Sequence, residues 1–148
     1  MSDAVVLDAG PLGLLCNPNK TGPATAIRAW VAAMRGAGRR LIVPEIADYE
    51  VRRELLRVPS HAALANLATY ELQLEYLPLT TAVLRHAAML WAQARNAGRP
   101  TAHQHALDCD VILAAQALSL GVPVVVATGN PAHLAAFVPV DDWQKIVP

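Results

Sequence analysis

Residues 4–11 read AVVLDAGP. The first four are apolar, and the run ends at Asp8, just before the pair Gly10-Pro11, which is predicted to form a turn. A short run that is apolar on both faces is typical of a strand buried within a parallel sheet. We therefore predict the first strand of the fold here, with Asp8 at its carboxyl end.

Outward from this strand, short apolar runs alternate with segments whose apolar residues recur at helical spacing. Further strands are predicted at residues 41–43, 74–77 and 122–127. Helices are predicted after Thr21, at 45–57, after Ser60, at 80–98 and at 108–120, with a loop at 99–105. Such alternation favours a parallel sheet covered by helices on both faces. We predict an α/β fold, a three-layer α/β/α sandwich with a four- or five-stranded parallel sheet, forming one domain over residues 1–148.

The composition agrees with one compact domain. The chain has 148 residues, of which 54% are hydrophobic and 16% charged, which suits a single buried core and argues against disorder. Twelve basic residues balance twelve acidic ones, which excludes a protein that coats nucleic acid through bulk positive charge. Because Met1–Asp8 shows no signal-peptide pattern and no apolar run reaches about twenty residues, we expect a cytoplasmic protein that does not enter a membrane.

Several polar residues are predicted at the ends of strands or in the helices beside them. They are Asp8, Glu50, Asp108, Asp110, Thr128 and Asn130. In a parallel sheet these positions converge on the carboxyl edge, where ligand sites of such folds lie. Carboxylates packed together repel unless a cation neutralises them, and an oxygen-only donor set favours Mg²⁺ or Mn²⁺. The pattern predicts metal-dependent hydrolysis of a phosphodiester.

Each of these residues also has a purely structural explanation. Asp8 could cap a turn, and Asp108 or Asp110 could stabilise the start of a helix. Glu50 could pair with Arg53 on the helix surface. The ordered placement of several such residues at successive strand ends favours the functional interpretation.

Four segments, taken in order, resemble the PIN domain, the metal-dependent nuclease fold of VapC-type toxins. The segments are VVLDAGPL at 5–12, PEIADYEVRREL at 44–55, LDCDVILAAQA at 107–117 and VVVATGN at 124–130. The resemblance implies that Asp8 is the first metal ligand, Glu50 the second acidic group and Asp110 the third. It leaves Asp108 as an additional carboxylate that assists the metal, and Thr128 as the hydroxyl that positions the network. Asn130 stands where many members carry a fourth aspartate, so the implied site holds one Mg²⁺ firmly, with Mn²⁺ as a substitute. A second, weaker metal that is filled with substrate stays an open alternative.

The function implied by this resemblance is endoribonuclease activity, as the toxin of a type II toxin–antitoxin pair. The implied partners are an RNA substrate, a VapB-like antitoxin and a second copy of the chain. One alternative is a PIN-like RNA- or protein-binding module without turnover, which the uncharged Asn130 favours. Another is a phosphatase or phosphotransferase with Asp8 as nucleophile, which is disfavoured because Gly10 stands where a second acid is expected.

The arginines suggest further contacts with a substrate or a partner. Of the twelve basic residues, seven are arginines between positions 28 and 57, and a phosphate-facing strip is predicted for Arg39, Arg40, Arg52, Arg53 and Arg57. The alternative is a solvated surface with ion pairs to Glu45, Asp48 and Glu54. Arg52 or Arg53 is expected to contact RNA or an antitoxin carboxylate.

His103 and His105 precede Cys109 but lack the paired spacing of a zinc site, so a role as substrate contacts stays open. Cys109 is predicted at a helix start, where the helix field would lower the pKa of its thiol. Trp143 is predicted to fasten the C-terminal segment or to lie in a dimer contact.

Overall fold

The computed structural model describes residues 2–98 and 104–148. Its five strands form one parallel sheet, with bounds β1 Ala4–Leu7, β2 Arg40–Pro44, β3 Glu75–Leu77, β4 Val124–Thr128 and β5 Val140–Asp142. Their order across the sheet is β3-β2-β1-β4-β5, and every neighbouring pair is parallel. The predicted parallel sheet is thus confirmed, and it has five strands.

Helices cover both faces of this sheet. They are α1 Ala9–Cys16, α2 Pro23–Gly36, α3 Glu45–Arg57, α4 His61–Gln73, α5 Thr81–Asn96, α6 Gln104–Leu118 and α7 Pro131–Leu134, followed by a 3₁₀ turn at Trp143–Lys145. The side chains of the central strand, β1, explain why both faces of the sheet are apolar. Val5 and Leu7 belong to the core formed with α1, α2 and α4, whereas Ala4 and Val6 pack with α6 and α7. This arrangement confirms the predicted three-layer α/β/α sandwich.

Two helix starts follow from capping residues that the sequence identifies. The Ser60 hydroxyl accepts a hydrogen bond from the Ala63 amide at 3.4 Å, and the Thr80 hydroxyl accepts one from the Val83 amide at 3.1 Å. Gly98, just beyond α5, has a φ of 62°, which glycine adopts without strain. The predicted bounds of α3 and the starts of α4 and α5 are confirmed.

Three local predictions are wrong. Gly10-Pro11 does not form a turn but lies in α1, because Asp8 caps this helix and proline is tolerated in a first turn. Gly22, rather than Thr21, precedes α2. In addition, α6 begins at Gln104, inside the predicted loop and four residues before the predicted helix start.

The C-terminal segment packs against the core that α1, α2 and α4 form on one face of the sheet. The ring of Trp143 lies 5.8 Å from that of Trp30 at an interplanar angle of 63°, an edge-to-face contact. The Trp30 indole donates a hydrogen bond to the Ile146 carbonyl at 2.8 Å. The prediction that Trp143 fastens this segment is confirmed.

A fully buried glutamine on α6 connects that helix to the sheet. The Gln116 amide nitrogen on α6 donates to the Leu77 carbonyl of β3 at 2.8 Å, and its carbonyl accepts from the Ile46 amide at 3.1 Å. The side chain therefore joins α6 to β3 and to the start of α3. Across the described parts of the chain, no helix is long and apolar enough to cross a bilayer.

Candidate active site

Three carboxylates from different elements converge beside the carboxyl end of β1. Asp8 follows β1, whereas Glu50 and Asp110 lie in the second turns of α3 and α6. Burial raises the pKa of both Glu50 and Asp110, and the negative charge of Asp8 is the next largest cause in each case. The pKa of Asp110 rises to about 6. Asp8, Glu50 and Asp110 therefore repel one another in a partly buried site.

Thr128 holds Asp8 in place. Its hydroxyl donates to Asp8 Oδ2 at 2.8 Å, while Asp8 Oδ1 accepts from the Ala9 amide at 2.7 Å. The same Thr128 oxygen accepts from the Asn130 amide at 3.1 Å. Both oxygens of Asp8 are thus oriented by hydrogen bonds. Asn130 reaches this network through its backbone, and its own side chain makes no capping hydrogen bond to α7.

Besides the carboxylates of Asp8 and Asp110, Glu50 has two further neighbours, Arg53 and Cys109. The Arg53 guanidinium lies 4.0 Å from Glu50 Oε2 and 5.2 Å from the centre of the Tyr49 ring, with about half of the arginine side chain exposed. The pKa of the Cys109 thiol rises to about 11, first through burial and then through the charge of Glu50. The predicted lowering of this pKa is therefore wrong, because Cys109 lies in the second turn of α6 rather than at its start.

Asp108 does not lie with the three carboxylates Asp8, Glu50 and Asp110. Its exposed side chain lines a cavity of about 410 Å³ between α5 and α6, together with Trp91, Val111 and Ile112. Residues two apart on a helix face different directions, so Asp108 points away when Asp110 faces the site. Its placement does not support the expected role in assisting a metal.

Most of the predicted arginine strip is occupied by ion pairs. Arg40 pairs with Glu75 at 2.6 Å, Arg57 pairs with Glu54 at 2.8 Å, and Arg52 pairs with both Asp48 at 3.0 Å and Glu71 at 2.7 Å; in addition, Arg39 donates to the Val147 carbonyl at 2.7 Å. These contacts agree with the alternative of a solvated surface with ion pairs, and the phosphate-facing strip stays a prediction for these four arginines. Arg53 is the predicted contact residue that lies beside the acidic site.

His133 is a further neighbour of the site that was not predicted from the sequence. This exposed residue on α7 lies near enough to Asp110 for its positive charge to lower the pKa of that carboxyl, against the effect of burial. Its signal in the sequence is its position three residues after Asn130, on the helix that follows β4. The predicted contact residue His103 and the side chain of His105 lie outside the described residues.

The donor set fits a hydrated hard cation. In the described ranges, no three His, Cys, Asp or Glu side chains form a ready-made metal cage. Mg²⁺ needs no such cage, since it is commonly held by one or two carboxylates and keeps several waters. Asp8 and Asp110 supply two carboxylates with mutually repelling charge, and Glu50 lies beside them.

Burial of the Asp110 carboxylate, together with repulsion by Asp8, predicts a gain in stability when the charge of Asp110 is removed. Because the folded-state pKa is raised from 3.8 to about 6, ionisation of Asp110 opposes folding at pH 7, and its contribution to stability improves as the pH falls towards 4. Asp110→Asn should raise the free energy of unfolding of the metal-free protein at pH 7 by about 1–2 kcal/mol, after allowance for partial exposure. Urea unfolding in EDTA would measure the difference, which should vanish near pH 3. A variant less stable than wild type at pH 7 would contradict the expectation.

Comparison with known proteins gives one family and a consistent fold. The family model described as PIN domain matches residues 14–135. No curated protein matches the chain.

Several solved structures share the fold. VapBC2 from Rickettsia felis, bound to a DNA fragment from its promoter, is 12% identical with a TM-score of 0.71, over 95% of this chain and 98% of that chain. The DNA-bound VapBC of Salmonella typhimurium is 23% identical with a TM-score of 0.65, covering 95% and 98%. VapC20 of Mycobacterium tuberculosis, a toxin that cleaves the sarcin–ricin loop, is 17% identical with a TM-score of 0.65, covering 98% and 100%.

Proposed function

The chain belongs to the PIN domain family, and we propose that it is a Mg²⁺-dependent endoribonuclease of the VapC type. The observation that carries this proposal is the convergence of Asp8, Glu50 and Asp110, whose charges repel in a partly buried site. Such an arrangement is unfavourable for the protein alone and becomes favourable when a cation neutralises it. The fold similarity to VapC20, which cleaves an RNA loop, supports RNA as the substrate class.

The side chains divide the chemistry between them. Asp8 and Asp110 would hold the metal ion, and the hydroxyl of Thr128 keeps Asp8 oriented towards it. When bound, Mg²⁺ would offset the charge of the phosphodiester and lower the pKa of water. The carboxylate of Glu50, whose pKa is raised mainly by burial, is suited to accept a proton from the attacking water. Arg53, half exposed beside Glu50, is suited to pair with a phosphate of the substrate.

We also propose that the chain is the toxin of a type II pair and binds a VapB-like antitoxin. The support is that structures of similar fold are VapBC complexes, two of them bound to DNA. Arg53 would offer an antitoxin carboxylate the same contact as a phosphate. A homodimer and a cytoplasmic location stay predictions.

The decisive experiment is cleavage of a mixed RNA pool by the purified chain without antitoxin. Cutting is expected with Mg²⁺ or Mn²⁺, is expected to stop in EDTA, and should return when the metal is restored. Mn²⁺ binding, measured by calorimetry in the absence of RNA, gives a second readout that does not depend on turnover.

The alternative function is a PIN-like binding module without turnover. It is favoured by Asn130, which brings no charge to the position next to the Thr128 hydroxyl. A folded protein that neither cuts RNA nor binds Mn²⁺ would establish this alternative and overturn the nuclease proposal.

A further inference from the structure

We propose that the cavity between α1 and α3 binds an unpaired nucleobase of the RNA, next to the phosphodiester that is cut. This inference rests on the proposed nuclease function and assigns a subsite to it. The cavity has a volume of about 340 Å³, within the range of pockets that bind small organic groups. Its walls include Gly10, Gly13, Glu50, Val51, Arg53 and Leu55.

The position of the cavity links it to the acidic site. Glu50 lines the cavity and is also a neighbour of Asp8 and Asp110. Ala9, whose amide donates to Asp8, lines it as well. A nucleotide whose phosphate lies at the carboxylates therefore has this cavity as an immediate neighbour for its base.

The chemistry of the walls fits a neutral, flat ring better than a second phosphate. Val51 and Leu55 offer apolar contacts to ring faces, and the guanidinium of Arg53 offers a flat surface on which bases stack. The carboxylates of Glu50 and Glu54 would repel a second phosphate in the cavity, but the Glu54 carboxylate can accept a hydrogen bond from an exocyclic amino group. Both bonds from Arg57 go to Oε2 of Glu54, which leaves Oε1 for such a contact.

Gly13 keeps the cavity open although the fold does not require a glycine there. Its backbone is ordinary helix, and an added Cβ would meet only Val51 Cγ2, at 3.7 Å, which is a normal contact. A glycine inside a helix makes the fold less stable than an alanine would, because it loses more backbone freedom on folding. The stability lost at this position is explained by the space that the missing side chain leaves for a ligand.

The test compares side chains added at Gly13 with the same side chains added at Gly36. Gly36 is the last residue of α2, does not line the cavity, and has nothing within 4 Å of a built Cβ, so it is a matched control. Each variant is incubated with Mg²⁺ and a random-sequence single-stranded RNA pool, and the cut sites are sequenced. Wild type should prefer particular bases at one position beside the cut. Gly13→Met should lower cleavage at the preferred sites by roughly 10-fold and flatten that preference, as expected for loss of one stacked base.

Mn²⁺ affinity and melting temperature, measured beside cleavage, separate the outcomes. Mn²⁺ affinity should be unchanged in Gly13→Met, because the metal-holding carboxylates are untouched. Gly13→Ala, which the structure accommodates, should melt at a higher temperature than wild type and still weaken the preference; it decides the matter should the methionine variant not fold. Equal rates and cut sites in wild type and both Gly13 variants would overturn the base subsite while the nuclease function stands. No metal-dependent cutting by wild type would instead overturn the nuclease function, and the subsite with it.

Discussion

Asp110→Asn should lower metal-dependent RNA cleavage by roughly 100-fold or more, whereas Asp108→Asn should change it by less than about 3-fold. Both substitutions remove one negative charge from α6 with almost no change of shape. The two side chains point in different directions: Asp110 faces Asp8, whereas Asp108 lines the cavity between α5 and α6. The measurement is the single-turnover rate on one RNA at saturating Mg²⁺.

Asp8→Asn provides the positive control, since it removes the other carboxylate that is proposed to hold the metal and should reduce the rate as much as Asp110→Asn. Unfolding curves in EDTA would show that the Asp110 variant is folded and, because it lacks a partly buried charge with a raised pKa, more stable than wild type. A loss of stability would therefore not explain its lost activity. An Asp108 variant as inactive as the Asp110 variant would contradict the separation of the two side chains.

Gln116→Leu should destabilise the protein by about 3 kcal/mol, the largest effect on stability that we expect from a single polar residue. The leucine fits the space but cannot bond, so the Ile46 amide and the Leu77 carbonyl lose their side-chain partner. Buried polar groups without partners carry a full desolvation penalty. The midpoint of urea unfolding should shift with little change in slope.

Gln93→Leu on α5 is the matched control, because Gln93 is exposed and its replacement should alter stability by less than about 0.5 kcal/mol. A shift of similar size in both variants would mean that a general loss of polarity, rather than the loss of the two bonds, is responsible. Mn²⁺ binding in folded Gln116→Leu should persist, since Asp8 and Asp110 are not among its contacts.

The strands and the site residues at their ends could be predicted because their signal is local. The run at β1 is apolar on both faces and stops at Asp8, so a buried strand and a carboxylate at its end follow from adjacent residues. The prediction of a turn at Gly10-Pro11 was wrong because it, too, relied on adjacent residues alone. These residue types are typical of turns, and only the hydrogen bond from the Ala9 amide to Asp8 reveals that a helix begins there.

The sequence could not indicate which way a side chain faces or which partner it contacts. The choice between Asp108 and Asp110 depends on how α6 is rotated against the sheet, and its start at Gln104 was hidden within a polar segment. Arg52 and Arg40 are neutralised by Glu71 and Glu75, which lie 19 and 35 residues further along the chain. Pairings of that kind are created by the fold and leave no pattern in the nearby sequence.

The central place of β1 determines when during synthesis this molecule becomes complete. The chain emerges from the ribosome N-terminus first, but β1 can pair with β4 only after residues 124–128 have been made. The bond from Thr128 to Asp8 spans 120 positions and belongs to the same late event. Contacts of such long sequence separation also slow folding. A nascent chain therefore carries Asp8 and Glu50 for most of its synthesis without the partners that complete the candidate site. The proposed cutting activity would begin only once β4 has joined the sheet.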